Sequence, residues 1–90
     1  MSHITKGSVF DALERDPGEA VKLKIKAALF DVLIAYIEDH KLTQQEAADR
    51  MGVQRSRVGV LMRGQISRFS IDALVVMAGR VGIDPMKAAA

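Results

Sequence analysis

Cysteine is absent from this chain of 90 residues. No disulfide framework and no thiolate metal site is therefore available, which fits a reducing cytoplasm. Its two histidines, His3 and His40, stand alone, one in a loose N-terminal end and one at a helix terminus, without metal-ligand spacing. Long apolar runs are also missing. The densest stretch, residues 27–37, is short and broken by Asp31, so nothing is expected to span a membrane, and the N-terminus has no apolar signal core. Strand alternation, hairpin signals and internal repeats do not occur. Carboxylates are scattered over polar faces, with no nucleophile–base set and no phosphate-binding glycine loop, so enzymatic readings fail for want of parts. The five methionines sit at helical spacing or near chain ends and read as core filler rather than a cofactor box.

The charge is distributed unevenly. The net value is only +2, a weak argument for any partner. Residues 1–49 carry six Lys/Arg against nine Asp/Glu, net −3, whereas residues 50–80 carry six Arg against the single acid Asp72, net +5. The basic stretch contains arginine and no lysine. Arginine presents a planar fork that matches guanine edges and phosphates, where lysine is a point charge. A solvated basic face is the plain alternative, but such faces usually mix both signs. Nucleic acid is the favoured partner.

The chain is organised around residues 43–64, TQQEAADRMGVQRSRVGVLMRG. Thr43 with Glu46 three residues on has the form of a capping box. Ala47 and Met51 lie one turn apart on a buried face, and Ala48 is small where two helices approach closely. Gly52 ends the first helix, where positive φ is required, and Val53 seals the turn. Val58 and Leu61 form the inward face of a second helix that Gly64 stops. Two short helices joined by a tight turn make a helix-turn-helix.

The stretch LTQQEAADRMGVQRSRVGVLMRG resembles the phage-repressor (Cro/cI, or XRE) helix-turn-helix regulators. The flanks GSVFDAL and RGQISRFSIDALVVMAGRVGI are similar to those of XRE regulators that serve as HigA-type antitoxins, and the resemblance covers residues 7–83. It implies sequence-specific DNA binding as a homodimeric repressor, in a setting where the protein represses its own operon and binds a RelE-like ribonuclease toxin. It also implies that Gln44, which opens the first motif helix, contacts phosphate.

The remaining elements follow in order. Residues 1–16 form an N-terminal extension in which Ser8 opens a short helical turn, with Phe10 and Leu13 packing as a flap or anchoring a partner. Asp16-Pro17-Gly18-Glu19 starts a long helix, about 35 Å, reaching Asp39. Lys22, Lys24 and Lys26 keep its first turns wet. Beyond them Leu29, Val32 and Tyr36 form one stripe, and Phe30, Leu33, Ile34 and Ile37 another. The helix is then either sandwiched between neighbours or part of a subunit interface. Phe69 anchors a linker over residues 65–69. Ser70 caps a fourth helix whose inward face reads Ile71, Leu74, Val75, Ala78 and Val81, with Val76 and Met77 off it. Gly82 stops that helix, and Asp84-Pro85 opens a last turn carrying Met86. The expected fold is all-α: one domain, residues 1–90, a five-helix phage-repressor-like bundle.

The recognition helix opens at Gln54 or Arg55. With Val58 and Leu61 inward, the opposite face carries Ser56, Gly59, Val60 and Arg63, flanked by Arg55 and Arg57 in the first turn. Arg55 and Arg57 suit guanine O6 and N7, Ser56 is a short donor or acceptor, and Val60 suits a thymine methyl. Gly59 costs about 1 kcal/mol against Ala in mid-helix, which makes sense if DNA approaches its backbone. Arg63 and Arg68 are phosphate candidates. For each arginine the plain alternative is an exposed solubilising charge, and for Arg63 also a charge facing the helix dipole. Surplus apolar surface at Val76, Met77, Ile83 and Met86 points to a dimer interface, with the second stripe of the long helix as a competitor. Other readings are a regulator with no toxin partner and a helix-turn-helix used only for protein contact. No cofactor is expected.

Overall fold

A computed structural model describes residues 16–89. Five α-helices follow one another: α1 Pro17–Asp39, α2 Gln44–Met51, α3 Arg55–Met62, α4 Ile71–Arg80 and α5 Pro85–Ala88, with a 3₁₀ turn at Ile66–Arg68 before α4. Among the described residues there is no strand. The five-helix, all-α expectation holds for them. The short turn expected around Ser8, and with it Phe10 and Leu13, lies outside the described residues.

Local chemistry starts four of the helices. Asp16 accepts from the Gly18 and Glu19 amides, with Pro17 at the first helical position. Thr43 and Glu46 form the full capping box: the Thr43 amide donates to Glu46 Oε1 at 2.8 Å, and the Glu46 amide to Thr43 Oγ1 at 3.1 Å. The Ser70 hydroxyl accepts from the Ala73 amide, and Asp84 Oδ1 from the Met86 amide. Each such bond satisfies an amide that the helix itself cannot.

The core gathers one face from each of the first four helices. Leu29, Phe30, Leu33 and Ile37 come from α1, Ala47, Ala48 and Met51 from α2, and Val58 and Leu61 from α3. Phe69 and then Leu74, Met77 and Ala78 of α4 complete it. Phe69 meets Phe30 edge to face with ring centroids 5.7 Å apart, so the linker after α3 is fastened to α1. The two stripes of α1 have a simple cause: α3, α4, α5 and the 3₁₀ turn all pack on it. Its first turns differ. Residues 16–24 are all exposed, including Val21 and Leu23.

The inward face of α4 differs from the expected one. Met77 is 2% exposed and belongs to the core, while Val75 is 37% exposed and points out. Leu74, Met77, Ala78 and Val81 form the i, i+3, i+4, i+7 row that meets α1 and α2, which leaves Val75 on the flank with Val76. Ile83 is half-buried and packs on the core. The exposed apolar surface here is Val75, Val76 and Met86 rather than the four residues expected.

Candidate nucleic-acid interface

The two motif helices, eight residues each, are joined by Gly52, Val53 and Gln54. Gly52 takes φ +70°, and its own amide returns to the Ala48 carbonyl. Arg80 of α4 closes the same corner. Its Nη1 donates to the Met51 carbonyl at 3.2 Å and the Gly52 carbonyl at 3.1 Å. A Cβ on Gly52 would meet that Nη1 at 2.5 Å, so glycine is required twice, by its φ and by the arginine above it.

α3 begins otherwise. Gln54 is its N-cap and makes no side-chain hydrogen bond, and no acid lies in its first turn. The other four helices have a side-chain cap, and α1, α2 and α4 also have an acid in the first turn. The positive end of α3 is left to solvent between Arg55 and Arg57, and such an end attracts an anion. The missing cap is legible in the sequence, since glutamine stands where Ser, Thr, Asp or Asn would be usual.

Of the expected contact residues, Gln44, Gln54, Arg55, Ser56, Arg63 and Arg68 are all exposed, and Val60 is half-buried; Gln54, Arg55 and Ser56 stand at that end, and Arg63 caps the other. Two expected positions differ. Arg57 is half-buried: its guanidinium lies over the Phe69 ring, 4.2 Å from the centroid, and Nη2 donates to the Arg68 carbonyl at 3.2 Å. Arg57 therefore fastens α3 to the linker instead of projecting beside Arg55, because Phe69, fixed by Phe30, offers an aromatic face within reach. Gly59 is buried rather than outward. The start of α2 lies over it: a Cβ at Gly59 would lie 3.6 Å from Gln44 Oε1 and 3.4 Å from Arg63 Nη1. Gln44 and Arg63 thus converge over one point of α3 from two helices.

The six arginines of the basic stretch divide into two sets. Arg50 donates to the Tyr36 hydroxyl at 3.1 Å, and Arg57 and Arg80 hold carbonyls. Arg55, Arg63 and Arg68 make no side-chain hydrogen bond or ion pair to another described residue; among those residues the one ion pair is Lys22–Glu19, on α1. Three exposed guanidinium groups therefore stay free on and just after α3: Arg55 at its uncapped start, Arg63 at its C-cap and Arg68 in the 3₁₀ turn beyond. Groups of three or more potential metal-ligating side chains are absent among the described residues, and none of the described helices is long and apolar enough to cross a membrane.

A helical bundle with a sealed two-helix motif and a bare, arginine-flanked second helix defines a helix-turn-helix DNA-binding regulator. Residues 12–84 match the family model described as "Helix-turn-helix domain", and the chain belongs to that family. No curated protein and no solved structure gave a match.

Proposed function

We propose that this protein is a sequence-specific transcriptional repressor that binds duplex DNA as a homodimer. The observation that carries this reading is the uncapped first turn of α3 with Arg55 and Ser56 exposed on it, while Gln44, Gln54, Arg63 and Arg68 are exposed as well. Arg55 and Ser56, in the first turn, read base edges in the major groove, and Val60 follows them toward a thymine methyl. Gln44, Arg63 and Arg68 hold phosphates and set the register. Arg57 reaches a base only by leaving Phe69, so in the free protein its role is to position α3.

The exposed Val75, Val76 and Met86 are the candidate dimer surface, and a two-fold dimer of this motif reads half-sites about 10 bp apart or a multiple of that. The likeness to HigA-type antitoxins makes autoregulation beside a RelE-like toxin the particular setting. Such a toxin grips RNA and is basic, so the net-negative N-terminal half suits it.

Selection from random duplexes followed by binding titrations over a salt series tests the DNA reading. The expected result is an enriched near-palindrome, with log K falling, for each tenfold rise in salt, by about 0.9 per phosphate neutralised. Failure to enrich any sequence, or affinity indifferent to salt, would overturn it. Co-purification with the product of an adjoining gene tests the toxin separately.

A further inference from the structure

Between the motif turn and α4 runs an open groove of about 350 Å³. Val53, Ala73, Val76 and Met77 give it an apolar lining, and Arg57, Asp72 and Arg80 border it. Both arginines are engaged elsewhere, with the Phe69 ring and with backbone carbonyls, so the groove offers hydrocarbon and one carboxylate. Val76 stands exposed on it, next to the exposed Val75. The same chain carries an apolar projection. Met86 on α5 is 81% exposed, the most of any large apolar side chain among the described residues. Lys87 follows it and is exposed too. Among the described residues neither Lys87 nor Asp72 has an ion-pair partner.

We infer that the groove receives Met86 of a second copy of this chain, with Lys87 of that copy against Asp72 at the border. The inference rests on the homodimer reading above and says what holds the dimer together. Projection and groove occur on one chain, so a two-fold pairing fills both grooves at once, the self-complementary arrangement of a closed dimer. The charges match, a lysine beside the projection and a carboxylate beside the groove. The groove is continuous with Val75 and Val76, the candidate dimer surface. Its size is sufficient: at roughly 30 Å³ per water-sized group, the four side-chain atoms of methionine fit with room to spare. Methionine is flexible and polarizable, which suits an irregular apolar surface. Val53 belongs to the motif turn and Arg57 to the first turn of α3. Met86 of the other copy therefore packs directly behind the recognition helix, and the dimer contact fixes where that helix stands.

Sedimentation of the full chain without DNA, together with crosslinking, tests the inference. Met86→Glu alters an exposed side chain, so the fold should stand, and the dimer dissociation constant should rise at least about tenfold. Val21→Glu, at an exposed apolar residue of α1, is the control and should leave the dimer unchanged. Lys87→Glu should weaken the dimer, and adding Asp72→Lys to it should restore part of the loss. Because the chain has no cysteine, single-cysteine variants report the contact directly. Met86→Cys mixed with Val76→Cys should give, on mild oxidation, a crosslinked dimer with one copy of each, in excess of both like-with-like dimers. A dimer indifferent to Met86→Glu, one weakened equally by Val21→Glu, or a predominance of like-with-like crosslinks overturns the inference and leaves the homodimer reading standing. A wild-type chain that stays monomeric at micromolar concentration removes both.

Discussion

The motif helices α2 and α3 have the same length and opposite construction. α2 is closed at both ends, by Thr43 and Glu46 at its start and by Gly52 and Arg80 at its finish. α3 has an uncapped start, no acid in its first turn, and a glycine at its centre. Helix propensity alone would leave α3 marginal. It stands because Val58, Gly59 and Leu61 are buried and because Arg57 is clasped between Phe69 and the Arg68 carbonyl. A helix stabilised from behind can leave its polar end bare. The contrast explains how a protein keeps a surface for a polyanion without loosening the element that bears it.

Six substitutions probe the contrast. Gly52→Ala should be the most damaging, because the residue must hold φ +70° and its methyl displaces Arg80 from two carbonyls. A loss of about 2–3 kcal/mol is expected in denaturant unfolding, with DNA binding falling only as the folded fraction falls. Loss below about 0.5 kcal/mol would mean that Arg80 does not secure the turn.

Arg55→Ala should do the reverse. Affinity for the selected operator drops by about 1–3 kcal/mol with relaxed preference at one base pair, while stability stays within about 0.5 kcal/mol, since Arg55 is exposed. Arg57→Ala makes the internal control: about 1 kcal/mol of stability goes with the ring and carbonyl contacts. If the two arginines behave alike in both assays, the division between them is wrong.

Thr43→Ala removes one half of the capping box and should cost about 1 kcal/mol of stability. A cap added to α3 tests the same point from the other side. Gln54→Asp should add some tenths of a kcal/mol to stability and yet weaken DNA binding, because the new carboxylate occupies the bare helix end. A variant that gained both would show that this end does not meet DNA.

A modest effect of opposite sign to the first belongs to Gly59→Ala. Its methyl would stand 3.4 and 3.6 Å from the ends of two flexible side chains, an ordinary contact, so thermal unfolding should show a gain of about 0.5–1 kcal/mol. Weaker operator binding beside that gain would mean that Gln44 and Arg63 need the bare glycine to converge. Unchanged binding would leave the glycine without a role in recognition.

Much of this was legible in the sequence because its causes are local. Caps at Asp16, Thr43, Ser70 and Asp84, helix ends at Gly52, Gly64 and Gly82, and the inward pair Val58 and Leu61 depend on residues within a turn of one another. The uncapped start of α3 belongs to the same class, a glutamine where a cap would stand. What only the tertiary structure decided has long-range causes. Whether Val75 or Met77 faced inward on α4 depended on where α1 and α2 lay, since both residues fit an apolar stripe. Arg55 and Arg57 are alike in the sequence, two residues apart in one turn. They part because Phe69, twelve positions beyond Arg57, is brought beneath it by Phe30. Arg80 carries the same charge as either and closes a turn 28 positions earlier in the chain. An arginine's type allows it to grip a phosphate, a base, a ring or a carbonyl; which of these lies within its reach is set by the packing of helices far apart in the chain.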